Sequence, residues 1–124
     1  MDIKNMEEIS SMEFPSGRRT HVMIGQNGAL KGEQFCQGYV EIYPNGYIPF
    51  HNHETVESYT ILEGTGLMSI GDESQIMNQG DFVFIEKNSD HSLKNIGEKI
   101  LKLMFVYAPQ VIVSHWEEEK TGQI

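Results

Sequence analysis

Two histidines and a carboxylate lie close together in the stretch Gly46-Tyr-Ile-Pro-Phe-His51-Asn-His53-Glu-Thr-Val-Glu57. Residues i and i+2 of a β-strand point to the same face, so an extended segment over residues 50–53 would project His51 and His53 together. Glu57 opens the run Glu57–Glu63, whose β-branched and aromatic residues favour a second strand. A short turn between the two segments would bring all three side chains to one point.

A third histidine lies downstream in the stretch Gly80-Asp-Phe-Val-Phe-Ile-Glu-Lys-Asn-Ser-Asp-His91-Ser-Leu-Lys-Asn95, again between two runs that favour strands. Three imidazoles and one carboxylate suit a divalent first-row transition metal. The residues that we predict to bind one such ion are His51, His53, Glu57 and His91.

The first stretch resembles the first of the two sequence motifs of the cupin superfamily. That motif has a glycine, then His-x-His, a glutamate and a second glycine. The residues that fill these positions here are Gly46, His51, His53, Glu57 and Gly64. The gap between the first glycine and the first histidine is one residue shorter than in the common form.

The second stretch resembles the second cupin motif, because Gly80, His91 and Asn95 fall in register with it. Glu86 and Asn88 stand where that motif usually has proline and glycine. Asparagine tolerates a left-handed backbone, so we expect Asn88 to support the same turn.

Short strand-like runs recur along the chain with glycine-containing turns between them, a pattern typical of an all-β sandwich or barrel. The resemblance covers residues 35–108 and implies an all-β, double-stranded β-helix (jelly-roll) cupin barrel. The clearest strand is Ile100–Tyr107. The side chains that we assign to the core from these runs are Leu101, Leu103, Phe105, Tyr107, Phe82 and Phe84.

A chain of 124 residues fits one domain. We predict an N-terminal arm at residues 1–17, a single cupin β-barrel domain at 18–113 and a C-terminal tail at 114–124. Short helices are expected only in the arm and at His115–Lys120.

The net charge of −9 disfavours binding to nucleic acid or to an anionic membrane surface. The chain has no apolar run long enough to span a membrane, and its start lacks the pattern of a signal peptide. Cys36 is the only cysteine, which excludes a disulfide within the chain. We therefore expect a cytoplasmic protein without nucleic-acid or membrane partners. The resemblance also implies a homodimer, with the strand Arg18–Ile24 as the expected contact.

Several other polar residues have two interpretations. His21 shares a predicted strand with Arg18 and Arg19, and we interpret it as structural. The two arginines suit bidentate binding of a carboxylate substrate, although a solvated or interface pair is the simpler interpretation. His115 is interpreted as part of a solvated tail. Tyr59 shares a strand face with Glu57 and is the one residue proposed to line a pocket.

Two classes of function remain open. Four protein ligands leave positions for water or substrate in a six-coordinate shell, which favours an enzyme. The resemblance implies a dioxygenase, isomerase or lyase acting on a small oxygen-rich or carboxylate substrate, with Fe or Mn preferred and Zn, Ni or Co admissible. The alternative is a non-catalytic cupin that binds a sugar or an organic acid.

Overall fold

The computed structural model describes residues 1–109 and 115–122, without the side chains of His115, Glu117 and Glu118. The predicted boundary between residues 113 and 114 lies outside this part. The described elements are a 3₁₀ turn (Met6–Glu8), β1 (Met12–Phe14), β2 (Arg18–Gly25), β3 (Leu30–Lys31), β4 (Cys36–Ile42), β5 (Tyr47–His51), β6 (Val56–Glu63), β7 (Gly66–Ile70), β8 (Glu73–Met77), β9 (Phe82–Ile85), β10 (His91–Asn95), β11 (Leu101–Ala108) and α1 (His115–Lys120).

The strands form two sheets that enclose one core, which confirms the jelly-roll barrel. The larger sheet runs in the order β1-β2-β4-β11-β6-β9, with β3 beside β2, and the smaller runs β5-β10-β7-β8. All pairs are antiparallel except β2 with β3. Side chains from both sheets meet in the interior, for example Ile42 and Leu103 from the larger and Leu93 from the smaller, each with 0% exposure.

Strand β11 alternates buried and half-buried residues along its whole length, because adjacent side chains of a strand point to opposite faces. It lies between β4 and β6, so its inward face is covered on both sides. The prediction that one face of this strand builds the core is therefore confirmed. The buried members are Leu101, Leu103, Phe105 and Tyr107.

The assignment of Phe82 and Phe84 to the core is wrong. Their exposed fractions are 78% and 58%, whereas Ile85 on the opposite face of β9 is fully buried. Strand β9 is the edge of the larger sheet and pairs only with β6 in the described sheets. The run Phe-Val-Phe-Ile is apolar on both faces, so its alternation cannot tell which face turns inward.

The strand expected to contact a second chain has neighbours within its own chain. Strand β1 pairs with Arg18 through Thr20, and β3 pairs with Ile24 and Gly25. Only the middle of the outer side of β2 therefore lacks a strand partner among the described residues. No helix in the described part of the chain is long and apolar enough to cross a membrane.

Candidate metal centre

The four predicted ligands come from both sheets and meet at one end of the barrel. His51 is the last residue of β5, and His91 is the first residue of β10 directly opposite it in the register. Glu57 comes from β6 in the larger sheet and is 7% exposed. His53 lies in the connection between β5 and β6, so the expected extended segment ends at His51 and not at His53.

One ligand atom from each of these residues lies within 4.8 Å of the others. Oε1 of Glu57 is 3.2 Å from Nε2 of His53 and 3.2 Å from Nε2 of His91. The rings of His51 and His91 have centroids 4.2 Å apart. The structure therefore brings all four side chains to a single point, as the spacing in the sequence predicts.

Backbone contacts fix the orientation of each imidazole. Nδ1 of His51 donates to the carbonyl of Pro49 at 2.7 Å, and Nδ1 of His91 donates to that of Ser89 at 2.8 Å. Nδ1 of His53 contacts the carbonyl of Thr55 at 3.3 Å and its hydroxyl at 2.5 Å. A carbonyl oxygen only accepts, so Nδ1 carries the ring proton and Nε2 is the atom presented to an ion.

This arrangement fits a cation. With a proton on Nδ1, the His91 ring turns Nε2 toward a carboxylate oxygen 3.2 Å away. Two acceptors at that distance repel each other unless a cation or a second proton lies between them. Contacts from the second ring nitrogen to backbone carbonyls are also what orient imidazole ligands in metal sites.

The charges of the ligands agree with the same interpretation. Burial lowers the pKa of His51 to about 3, with the adjacent His91 acting in the same direction, so His51 is neutral near pH 7. Burial acts to raise the pKa of Glu57, but the neighbouring His53 and His91 outweigh it and the pKa lies below its usual range. The site thus holds a neutral imidazole and a carboxylate, the forms in which both bind metals.

The second motif holds the loops in place. Asn88 has a left-handed backbone with φ of 62°, as expected for the position of the missing glycine, and its N–H donates to the carbonyl of His53 at 2.7 Å. Asn95 is buried and donates to the carbonyls of Ile42 and Lys99 at 2.9 and 2.8 Å. Asn88 therefore holds the backbone of His53, and Asn95 connects β10 to the segments beside it.

The first glycine of the first motif has a steric reason. A Cβ on Gly46 would lie 2.2 Å from the carbonyl oxygen of Gly17, which is too close for any side chain. Gly46 leads directly into β5, and its carbonyl accepts from the backbone N–H of Asn95 at 3.0 Å. This close approach connects the N-terminal segment to the strand that ends at His51.

A small cavity of about 20 Å³ adjoins the ligand cluster. Tyr59 lines it as the sequence suggests, with its ring 5.9 Å from that of His91. Burial raises the pKa of Tyr59 well above its ordinary value of 10, with Glu57 acting in the same direction, so the phenol keeps its proton. The cavity is also lined by Arg18 and Trp116.

Arg18 and Arg19 have different roles in the structure. Arg18 is 2% exposed and pairs with the fully buried Glu119 of α1. Arg19 binds Glu41 on the outside of the barrel at 2.7 Å. Neither is a simple solvated residue, and the simpler interpretation of Arg18 is wrong. Sequence reasoning missed Glu119 because nothing local marks a tail carboxylate as buried.

His21 lies outside the ligand cluster. His21 is 6% exposed, stacks on Tyr39 with ring centroids 4.1 Å apart and lies 3.1 Å from Glu41, in line with a structural role. The side chain of His115 lies outside the described residues.

One relative is similar in sequence to part of this chain. An uncharacterised protein of Methanocaldococcus jannaschii, MJ1618, is 40% identical over 55 residues, which span 44% of this chain and 44% of that relative. The chain therefore matches less than half of the relative's length.

Two solved structures are similar in fold. A predicted oxalate decarboxylase from Thermotoga maritima superposes with a TM-score of 0.77 at 18% identity, covering 87% of this chain and 99% of that one. The polyketide cyclase RemF from Streptomyces resistomycificus gives 0.75 at 18% identity, covering 92% and 87%. At these identities the likeness concerns the fold alone.

The family comparison covers the region that contains both motifs. The model of the cupin domain matches residues 38–107, which include all four clustered side chains and most of the barrel strands. With the two-sheet jelly roll and this match over more than half of its length, the chain belongs to the cupin family.

Proposed function

We propose that this cupin is a metal-dependent enzyme that acts on a small, oxygen-rich molecule. The observation that carries the proposal is the convergence of three imidazoles and one carboxylate within 4.8 Å beside an interior cavity. Cupins often bind a metal, and a set of four side chains leaves positions in a six-coordinate shell for a substrate. A purely structural site is usually closed by protein ligands instead.

His51, His53, Glu57 and His91 are the residues that would hold the ion. Once bound, a divalent metal would polarise oxygen atoms of a chelating substrate. We propose Fe or Mn, which the resemblance to cupin enzymes favours. Zn, Ni and Co are admissible alternatives, because three imidazoles and a carboxylate do not distinguish these ions by softness.

The protein's own groups would shape the reaction space. Phe105 and Tyr107 line the cavity beside the cluster and form part of its apolar wall. Tyr59 is fully inside the protein and its pKa lies above 10, so it can donate a hydrogen bond but cannot serve as a base near neutral pH. We therefore assign Tyr59 to positioning of the substrate.

The reaction class that we propose is that of a dioxygenase, isomerase or lyase. Proteins of the same fold include a predicted oxalate decarboxylase and a polyketide cyclase. A dioxygenase or isomerase uses the same kind of site, and one fold hosts many reactions. The substrate would be a small molecule and not a nucleic acid, given the net charge of −9.

A non-catalytic role in binding a sugar or organic acid is the second candidate. The cavity of about 20 Å³ holds one water molecule, so it excludes a sugar or an organic acid as well as a substrate. Either role therefore needs an interior that opens.

We also propose a cytoplasmic homodimer. The exposed Phe82 and Phe84 on the outer face of β9 are a better contact surface than the partly covered β2. Large exposed aromatic side chains next to each other are a common feature of protein interfaces. Light scattering at micromolar concentration should give the mass of a dimer, and Phe82→Ser with Phe84→Ser should shift it toward the monomer.

Metal analysis tests the central proposal. The purified protein, loaded with Mn or Fe and dialysed, should contain close to one ion per chain. His51→Ala with His53→Ala should contain much less. His21→Ala is the matched control, since it removes a buried histidine outside the cluster and should keep the ion. Full metal content in the double variant would refute the ligand assignment.

A further inference from the structure

The short helix α1 closes the same cavity that the ligand cluster adjoins. Trp116 lies on this helix and packs edge-on against Phe105 and Tyr107, with ring centroids 6.2 and 6.3 Å apart. The indole lines the cavity together with His51 and Glu57. Because the cavity holds only about 20 Å³, no molecule larger than water fits while Trp116 stays in place.

Glu119, three residues further along α1, is fully buried against Arg18. Nε of Arg18 donates to Oε2 of Glu119 at 2.8 Å, and a second guanidinium nitrogen donates to Oε1. This is the bidentate geometry with which arginine binds any carboxylate. The hydroxyl of Ser16 donates to the same Oε2 at 2.5 Å, and Thr20 accepts from the remaining nitrogen of Arg18.

The ion pair between Arg18 and Glu119 lies beside the cavity. Arg18 lines the cavity together with His51, Glu57 and Tyr59, so its cation faces the proposed reaction space. If α1 moved away to admit a substrate, the guanidinium would keep the Thr20 hydroxyl and the Phe14 ring, whose centroid lies 4.1 Å from Cζ, but it would lose the Glu119 carboxylate. A cation beside an apolar interior without a counter-ion is unfavourable, so the open state favours another anion at the same point.

A helix of six residues has little stability of its own. Its described anchors are the packing of Trp116 and the bonds of Glu119 to Arg18 and Ser16. A ligand that replaced the Glu119 carboxylate would release one of these two anchors. Binding to Arg18 and movement of Trp116 are therefore coupled.

We propose that Arg18 is the specificity-determining residue of the site, that it selects a small carboxylate-bearing ligand, and that Glu119 occupies this carboxylate position while α1 is closed. The proposal rests on the proposed function, since it places the ligand beside the metal. It makes Arg18 a substrate-binding residue and α1 a displaceable cover. In the competing interpretation, α1 covers the cavity permanently and the ion pair between Arg18 and Glu119 is purely structural.

The only tryptophan of the chain is Trp116, so intrinsic fluorescence reports the position of α1 directly. The probe is sodium malonate, and the matched control is the uncharged malonamide. Both are titrated into zinc-loaded protein, because Zn²⁺ has no redox chemistry. Malonate should shift the emission to longer wavelength in a saturable manner, and malonamide should not.

Four variants separate the roles of these residues. Glu119→Gln keeps the shape but removes the competing charge, so malonate should bind about tenfold more tightly or better. Arg18→Gln should abolish malonate binding measured by calorimetry. Arg18→Lys keeps the charge without the planar fork and should weaken binding while retaining the fold. Ser16→Ala should strengthen malonate binding less than Glu119→Gln does.

Zinc content, measured in the same samples, separates the two proposals. Zinc retained together with equal responses to malonate and malonamide would overturn the carboxylate proposal and leave the metal site standing. An unchanged malonate affinity in Glu119→Gln would also overturn the carboxylate proposal. Absence of zinc from the unmodified protein would instead refute the proposed function.

Discussion

Removal of the metal should lower the stability of this protein without unfolding it. An ion that binds only the native state stabilises that state by RT ln(1 + [L]/Kd), which is about 2.7 kcal/mol when the free metal is 100 times Kd. A chain of 124 residues has an unfolding entropy near 0.26 kcal/mol/K. The expected fall in melting temperature on chelation is therefore about 10 °C.

The barrel should survive because its core does not depend on the ligands. Leu93, Leu101 and Leu103 each have 0% exposure, and burial of such a side chain contributes about 1.5–3 kcal/mol. The four ligands lie at one end of this core. The protein should thus differ from a zinc finger, which is unfolded without its ion.

Thermal unfolding followed by circular dichroism measures this directly in metal-loaded and chelator-treated samples. Both should melt in one cooperative transition, separated by the shift calculated above. His51→Ala with His53→Ala should melt like the chelated sample and should not respond to metal. A chelated protein with no cooperative transition would show that the ion, and not the apolar strands, organises the core.

Three other predictions concern residues away from the metal. Leu103→Ala should cost about 2–5 kcal/mol in urea denaturation, whereas Ile96→Ala, at an exposed site, should stay within about 0.5 kcal/mol. Gly46→Ala should be destabilising by more than about 1 kcal/mol in the same assay, and Gly97→Ala, whose Cβ would make ordinary contacts, should be nearly neutral. The free energy of unfolding should fall in acid as Glu41 is protonated, and it should depend less on pH in Glu41→Gln.

The sign of the acid effect follows from the pKa of Glu41. The hydrogen bond from Arg19 holds this pKa below its usual value, although burial opposes the shift. A carboxyl group with a lowered pKa in the folded state stabilises the protein above its unfolded pKa of about 4.3. That contribution is lost as the pH falls through the folded pKa. The test is to measure the urea midpoints of the unmodified protein and of Glu41→Gln from pH 6 to pH 3. Parallel curves for the two proteins would contradict the role of Glu41.

The sequence predicts the ligand cluster well because metal ligands depend on spacing and on local turns. His51 and His91 lie opposite each other at the ends of paired strands, and Asn88 adopts the left-handed turn expected of it. His53 reaches the same point for a different reason. It lies after the end of β5, and Thr55 orients its ring.

The residues that sequence reasoning misjudged depend on contacts between distant parts of the chain. The run that contains Phe82 is apolar on both faces, so only its register against β6 decides that the aromatic rings point outward. Arg18 and Glu119 are 101 residues apart. A glutamate in a charged C-terminal run has the pattern of a solvated helix, and only the fold reveals that a buried arginine meets it.

The charges inside the barrel indicate what kind of ligand would complete the site. Glu57 offsets one of the two charges of a divalent ion, while Arg18 and Glu119 neutralise each other. One positive charge then remains in a largely desolvated interior, where an unbalanced charge is costly. A ligand with a single carboxylate that replaced Glu119 would leave this excess unchanged. A ligand with two carboxylates, one on Arg18 and one near the ion, would remove it. With the proposed metal and carboxylate sites both occupied, the charge balance favours a dicarboxylate over a monocarboxylate, and malonate should bind more tightly than acetate by a margin that disappears when the metal is removed.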